Sequence, residues 1–243
     1  MATSRYSWDP NSNLDKMIVV ARCGEDVSWV NVFFGNVPSA VYQCLDDNAL
    51  HPIRFRGNEA LAYFTFIVDF YDDLPASMVF LHGHQYAWHM PDVVPVLRKL
   101  QWDLPFANLN YMNATDDSFT GSMLFPARPE QLGVGSWLYN QSKHYKDAWE
   151  ELMSAELGPV PERVAAPCCS TLLVSRERIL RHPKAFYERI RMWLAVTTVG
   201  SFWSGRVFEY MWGPLFGNSA ILSLQSECQV LHCDDANPRP APL

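Results

Sequence analysis

Apolar runs closed by polar turns alternate along this chain with segments whose apolar positions recur every three or four residues. Met17-Ile-Val-Val-Ala21 is a continuous apolar run, the pattern of a strand covered on both faces. It ends at Arg22-Cys-Gly-Glu-Asp26, after which Val27, Trp29, Val30 and Phe33/Phe34 recur at helical spacing. A strand, a polar glycine turn and a helix open a βα unit. Ala40 to Leu45 predicts a second strand after Pro38, followed by a polar loop from Asp46 to Gly57. Asn58 is placed to cap a helix with Leu61, Phe64, Ile67, Val68 and Tyr71 inward, stopped before Pro75. Met78 to Leu81 then reads as a buried central strand that breaks off abruptly in His82-Gly83-His84.

The second half is less regular. Pro91 to Trp102 predicts a short helix with Val93, Val94, Leu97 and Leu100 inward. Residues 103–140, rich in Asn, Asp, Gly and Pro, predict a long loop region with room for one or two strands, a length usually tied to function. Asn140 to Leu157 is amphipathic, with Tyr145, Trp149, Leu152 and Met153 inward, and Gly158-Pro159 stops it. Cys168 to Val174 is strand-like and leads to Ser175, a credible cap for a helix over Arg176–Arg181. Pro183 opens a helix over Lys184–Val196, and a last helix after Gly205 carries Phe208, Glu209, Met211 and Trp212. Strands alternating with helices predict an α/β fold with a mostly parallel central sheet flanked by helices. One domain spans 16–220, behind an unstructured lead-in (1–15) and ahead of a C-terminal extension with a Pro-rich tail (221–243).

Composition narrows the class. A net charge of −7, with no cluster of Lys and Arg, argues against a nucleic-acid partner, which needs a basic stripe to neutralise phosphates. No apolar run is long enough to span a membrane. The polar stretch Met1–Asn13 lacks a signal-peptide apolar region, which favours the cytoplasm; the sequons Asn113-Ala-Thr115 and Asn140-Gln-Ser142 keep the secretory pathway open. The six cysteines form no CxxC pair, so they are expected to stay reduced.

Three of the seven histidines, His82, His84 and His89, fall within eight residues at the end of the central strand. Strand ends are where α/β folds place ligand groups. Neutral imidazoles at that spacing can hold a transition metal, although no HExxH is present; the plainer alternative is histidines that pin a loop. At the end of the first strand, Arg22 is suited to a phosphate and Glu25 or Asp26 to a ribose hydroxyl, while an acid there can equally cap the following helix. This turn is not GxGxxG, which disfavours a nicotinamide dinucleotide. Cys168-Cys169 offers a thiolate or two small buried residues. Arg176 is placed to reach the crevice. Glu209, on an aromatic-rich helix, is either paired with Arg206 or held as a general base.

Several of these stretches resemble a widespread domain-of-unknown-function family. Ile18-Val-Val-Ala-Arg-Cys-Gly-Glu-Asp-Val-Ser-Trp29 resembles its opening VVARYNEDLSW, with Cys23-Gly24 in place of the usual Tyr-Asn. The resemblance continues in Val79-Phe-Leu-His-Gly-His84, Val174-Ser-Arg-Glu-Arg-Ile179 and Arg206-Val-Phe-Glu-Tyr-Met-Trp212, covering about residues 17 to 217. That family is in turn similar to GT-A-fold glycosyltransferases. The similarity implies a single Rossmann-like domain that binds a nucleotide-sugar and transfers the sugar to a hydroxyl acceptor. It places Arg22, Glu25, Asp26 and Arg176 on the nucleotide side and Glu209 as base. It puts His82-Gly-His84 where such enzymes carry an Asp-x-Asp for a divalent metal, though imidazole is a poor ligand for hard Mg²⁺. Trp88, Trp137 and Trp212 are candidates for an acceptor platform. Two further readings stand beside it: a metalloenzyme in which His82, His84 and His89 hold zinc, iron or copper, and an inactive binding module.

Overall fold

Strand β1 (Lys16–Arg22) carries four consecutive buried residues, Met17 to Val20, because helices cover both faces of the sheet it centres. The computed structural model describes residues 15–54, 56–110, 122–126, 128–223 and 225–233, and of 122–126 the backbone alone. The lead-in before Asp15, the first sequon and the tail 237–243 lie outside the described residues. After β1 come α1 (Ser28–Phe34), β2 (Ser39–Gln43), β3 (His51–Pro52), α2 (Glu59–Asp69), β4 (Ser77–His82), α3 (Val93–Lys99), β5 (Phe106–Asn108) and β6 (Ser122–Pro126). The second half holds α4 (Trp137–Leu152), α5 (Ser154–Leu157), β7 (Arg163–Pro167), β8 (Leu172–Ser175), α6 (Arg176–Ile179), α7 (Lys184–Val196), α8 (Ser201–Glu209), α9 (Trp212–Leu215) and α10 (Glu227–Val230).

Six strands form the main sheet in the order β3-β2-β1-β4-β8-β5, and β6 and β7 pair separately. The first four are parallel, and β8 is the reversed strand, paired antiparallel to both β4 and β5. Side chains alternate across the sheet. Met17, Val19, Met78, Phe80, Leu172 and Val174 pack with α2, α4, α7, α8 and α9. Ile18, Val20, Val79, Leu81 and Leu173 pack with α1 and α3 on the other face. The chain is thus the expected single α/β layer sandwich with a mostly parallel sheet.

Some local expectations change. Asn58 makes no capping hydrogen bond; it sits at φ +50° against Gly205 of α8, where a Cβ would fall 2.6 Å from its Nδ2. Helix α4 starts earlier than expected because the Ser136 hydroxyl accepts from the Tyr139 N–H at 3.1 Å. The apolar run after Cys168 becomes strand only at Leu172, since Cys169 takes a left-handed φ of +72°. The cysteines are paired, not reduced: Cys23–Cys44, Cys168–Cys169 and Cys228–Cys233. Parallel register explains the first. Arg22 stands opposite Gln43, so the next residue of each strand, 23 and 44, meets its counterpart across the sheet.

Candidate functional site

From β1 the sheet grows towards β2 on one side and towards β4 on the other, so its order reverses between β1 and β4. A crevice outside the carboxyl ends of two such strands is where open α/β sheets take ligands. Here those ends are Arg22-Cys-Gly-Glu25 and His82-Gly-His84. The indole N–H of Trp29, on α1, donates to the Gly83 carbonyl at 3.0 Å and ties the two ends together. Glu25 completes the junction. Its Oε2 accepts from the Cys23 N–H, and its Oε1 lies 3.5 Å from Nε2 of His84. Gly83 lets the turn sit close, since a Cβ there would lie 3.0 Å from Glu25 Oε2 and press that side chain aside.

An open cleft of about 550 Å³ lies over this junction, lined by Glu25, Asp26, Trp29, His84 and Tyr86 among others. Asp26 is exposed and accepts from the N–H of Ser28, the first residue of α1, at 2.9 Å, a bond that holds its carboxyl below the usual range. Arg22 turns away from the cleft wall. Its Nε donates to the Glu25 carbonyl at 2.5 Å and its Nη1 to Gln43 Oε1 at 2.8 Å, which anchors the turn to β2.

The rings of His82 and His89 meet beside this junction, tilted 55° to each other with their centroids 5.4 Å apart. Burial pushes both imidazoles down to about 4, helped for His82 by His84 and for His89 by His82. Both are therefore neutral at pH 7. Nε2 of His82 and Nδ1 of His89 are buried with no hydrogen-bond partner among the described residues. The three imidazoles do not converge on one point. The described His, Cys, Asp and Glu side chains whose ligand atoms do converge, within 4.8 Å of one another, are Cys168, Cys169 and Glu209.

Glu209 belongs to a second group on the same edge of the sheet. Because β8 runs backwards, it is its start, not its end, that lies beside the carboxyl end of β4: Leu172 pairs with Phe80. The turn before it, residues 168–171, is pinned by Tyr63, whose hydroxyl donates to the Ser170 carbonyl at 3.0 Å, and by the Trp212 indole, which donates to Ser170 Oγ at 2.9 Å. The Cys169 N–H donates to Glu209 Oε2 at 3.0 Å. Glu209 is pushed up to about 7, first by burial and then by the nearby Glu59, against the Cys169 N–H and Arg206. Glu59, at the start of α2, is also raised by burial, opposed by a hydrogen bond to Ser170 and by Arg206. The Arg206 guanidinium lies over the rings of Phe202 and Trp137, 4.7 and 5.5 Å from their centroids. A buried carboxyl with proton affinity near neutrality can take a proton from a hydroxyl nucleophile.

Two expected site residues lie elsewhere. Arg176 follows the end of β8, which pairs Ser175 with Ser77 at the opposite edge; its N–H and Nη1 donate to the carbonyls of Ala76 and Leu74. It is therefore not brought to the crevice. Trp212 is 1% exposed and belongs to the core, whereas Trp88 is open to solvent and Trp137 partly so. Sequence reasoning missed Glu59 and Gln43. Glu59 reads as an ordinary acid in the first turn of a helix, and only its burial among Tyr63, Ser170 and Glu209 sets it apart.

Fold and site together define an α/β domain with a crevice at the switch point of its sheet. Residues 17–236 match the family described as protein of unknown function (DUF3431), and the chain belongs to that family. No curated protein and no solved structure matches it. No helix among the described residues is long and apolar enough to cross a membrane.

Proposed function

We propose that the chain is a glycosyltransferase-like enzyme that binds a nucleotide-sugar in the β1/β4 crevice and passes the sugar to a hydroxyl acceptor. The observation that carries this reading is the cleft at the point of strand reversal, with Glu25 and Asp26 on its wall, His84 at its edge and Tyr86 exposed beside it. Carboxylates there suit ribose hydroxyls, and an exposed aromatic ring suits a base. His84 is half exposed, so it is the imidazole free to steady a departing diphosphate. Buried, neutral His82 supplies no charge there.

The donor set does not fit the divalent metal that GT-A enzymes carry. Imidazole is a poor partner for hard Mg²⁺, and His82, His84 and His89 do not converge. The acceptor oxygen forms its bond to the anomeric carbon as the bond to the diphosphate breaks. Glu209, one strand along the same edge, receives the hydroxyl proton.

Thermal-shift measurements against the common nucleoside diphosphates and their sugar conjugates test this directly. One nucleotide should stabilise the protein, and the effect should be lost in Glu25→Ala. Stabilisation without sugar release or transfer would leave a binding module, and no response to any nucleotide would sink the reading.

A further inference from the structure

We infer that Cys168, Cys169 and Glu209 form a redox-gated site for a thiophilic divalent cation of the zinc class, on the sheet edge beside the β1/β4 crevice and built on the carboxyl proposed above as base. Their potential ligand atoms lie within 4.8 Å of one another, the only such group of three or more among the described residues. Two sulfurs and one carboxylate oxygen are the donors that borderline-soft zinc selects, and three protein ligands leave its fourth tetrahedral position open.

In the oxidised chain the sulfurs are bonded to each other, so the site is closed. A dithiol reductant opens it. The reductant gives up two electrons and two protons and becomes a disulfide, while Cys168 and Cys169 become two thiols. Both residues are only partly buried, which lets reductant and cation reach them. The cation then forms two bonds to sulfur and one to Glu209 oxygen, and both thiol protons leave to solvent.

The turn does not depend on the disulfide for its place. Tyr63 and Trp212 hold Ser170 from one side, and the Cys169 N–H holds Glu209 from the other. Loading the site ties up Glu209, so the oxidised chain keeps that carboxyl available and the reduced, metal-loaded chain does not.

The test uses the whole chain, reduced anaerobically with a dithiol that is then removed, and Cd²⁺ as the spectroscopic probe. Reduced protein should take up one more Cd²⁺ than the reduced Cys168→Ser/Cys169→Ser variant, with a cadmium–thiolate absorption band, and the oxidised protein should take up none there. Glu209→Gln, which keeps both thiols, should weaken that uptake by about tenfold or more. Mapping of alkylated cysteines in reduced wild-type protein gives an answer that needs no variant: Cd²⁺ should shield Cys168 and Cys169 and leave Cys23, Cys44, Cys228 and Cys233 reactive. Equal uptake by the serine variant, or unshielded Cys168 and Cys169, would overturn the site. None of these readouts uses transferase activity.

Discussion

Nε2 of His84 stands 3.5 Å from Oε1 of Glu25, a contact that spans from the end of β4 to the turn after β1. The imidazole is half exposed, so the pair contributes at most about 1 kcal/mol to stability. Its value lies in position, since both groups border the cleft. His84→Ala should therefore leave unfolding within about 1 kcal/mol of wild type. It should weaken nucleoside-diphosphate binding about tenfold, a loss of about 1.4 kcal/mol. Calorimetric titration checks this, and unchanged affinity would remove His84 from the diphosphate.

Glu25 differs from its partner because it also accepts from the Cys23 N–H inside the turn. Glu25→Ala should cost stability as well as binding, on the order of 1–3 kcal/mol for the hydrogen bond lost to a partly buried charged acceptor. Denaturant unfolding of Glu25→Ala beside His84→Ala separates the two roles. Equal stability of the two variants would show that the Cys23 contact carries no weight.

Gly205 of α8 packs directly against Asn58, the residue before α2: a Cβ there would lie 2.6 Å from Nδ2 and 2.9 Å from Cβ of Asn58. Asn58 cannot escape by rotating its side chain alone, because its own Cβ is in the way. Gly205→Ala should thus destabilise by about 1–3 kcal/mol through overpacking. It should also shift Glu59, which follows Asn58, relative to Glu209, four residues beyond Gly205 on α8. Unfolding midpoints and the side-chain carboxyl NMR signals of the two glutamates report the two effects.

Much of this fold is legible in the sequence where burial is two-sided. The runs in β1 and β4 are apolar throughout because helices cover both faces, and they locate the crevice by ending in polar side chains. Strand direction is a different matter. Nothing in Leu172-Leu-Val-Ser175 encodes that β8 runs backwards, and so Arg176 reads as a crevice residue when it sits at the far edge. Register is equally silent: Cys23 and Cys44 look unrelated until β1 and β2 pair. Of the site, the junction of Glu25 with His84 follows from strand ends alone. The Glu59–Glu209 group depends on a helix crossing that no local pattern announces.

The Cys23–Cys44 bridge closes a loop of 21 residues across the β1–β2 unit. In the chain-entropy account a loop of that size is worth about 3 kcal/mol. Cys23→Ser/Cys44→Ser should lower stability by about that much under oxidising conditions, and reduction, which opens the bridge in wild type, should then affect the variant less than wild type. The bridge also fixes the turn that holds Glu25, so nucleotide-induced stabilisation should shrink in the same variant. A variant as stable as oxidised wild type would mean the bridge constrains little.

His82 and His89 give the molecule a defined weakness to acid. Both are held at about 4 in the folded chain, below the ordinary histidine value of 6.5. Between those values the unfolded chain binds protons that the folded chain refuses, so their contribution is full above about pH 6.5 and is lost as pH falls towards 4. At about 1.4 kcal/mol per pH unit the loss reaches a few kcal/mol. His82 is one of the groups that depress His89, so their contributions do not add. Glu209 acts with the opposite sign: its carboxyl, pushed up to about 7, favours the folded chain as pH falls through that value, which masks part of the slope in wild type. The measurement is therefore a comparison. His82→Gln/His89→Gln retains Glu209 and lacks the two imidazoles, so between pH 7 and pH 4.5 its unfolding free energy should drop less than that of wild type. Parallel curves for the two proteins would show that neither ring is kept neutral by burial.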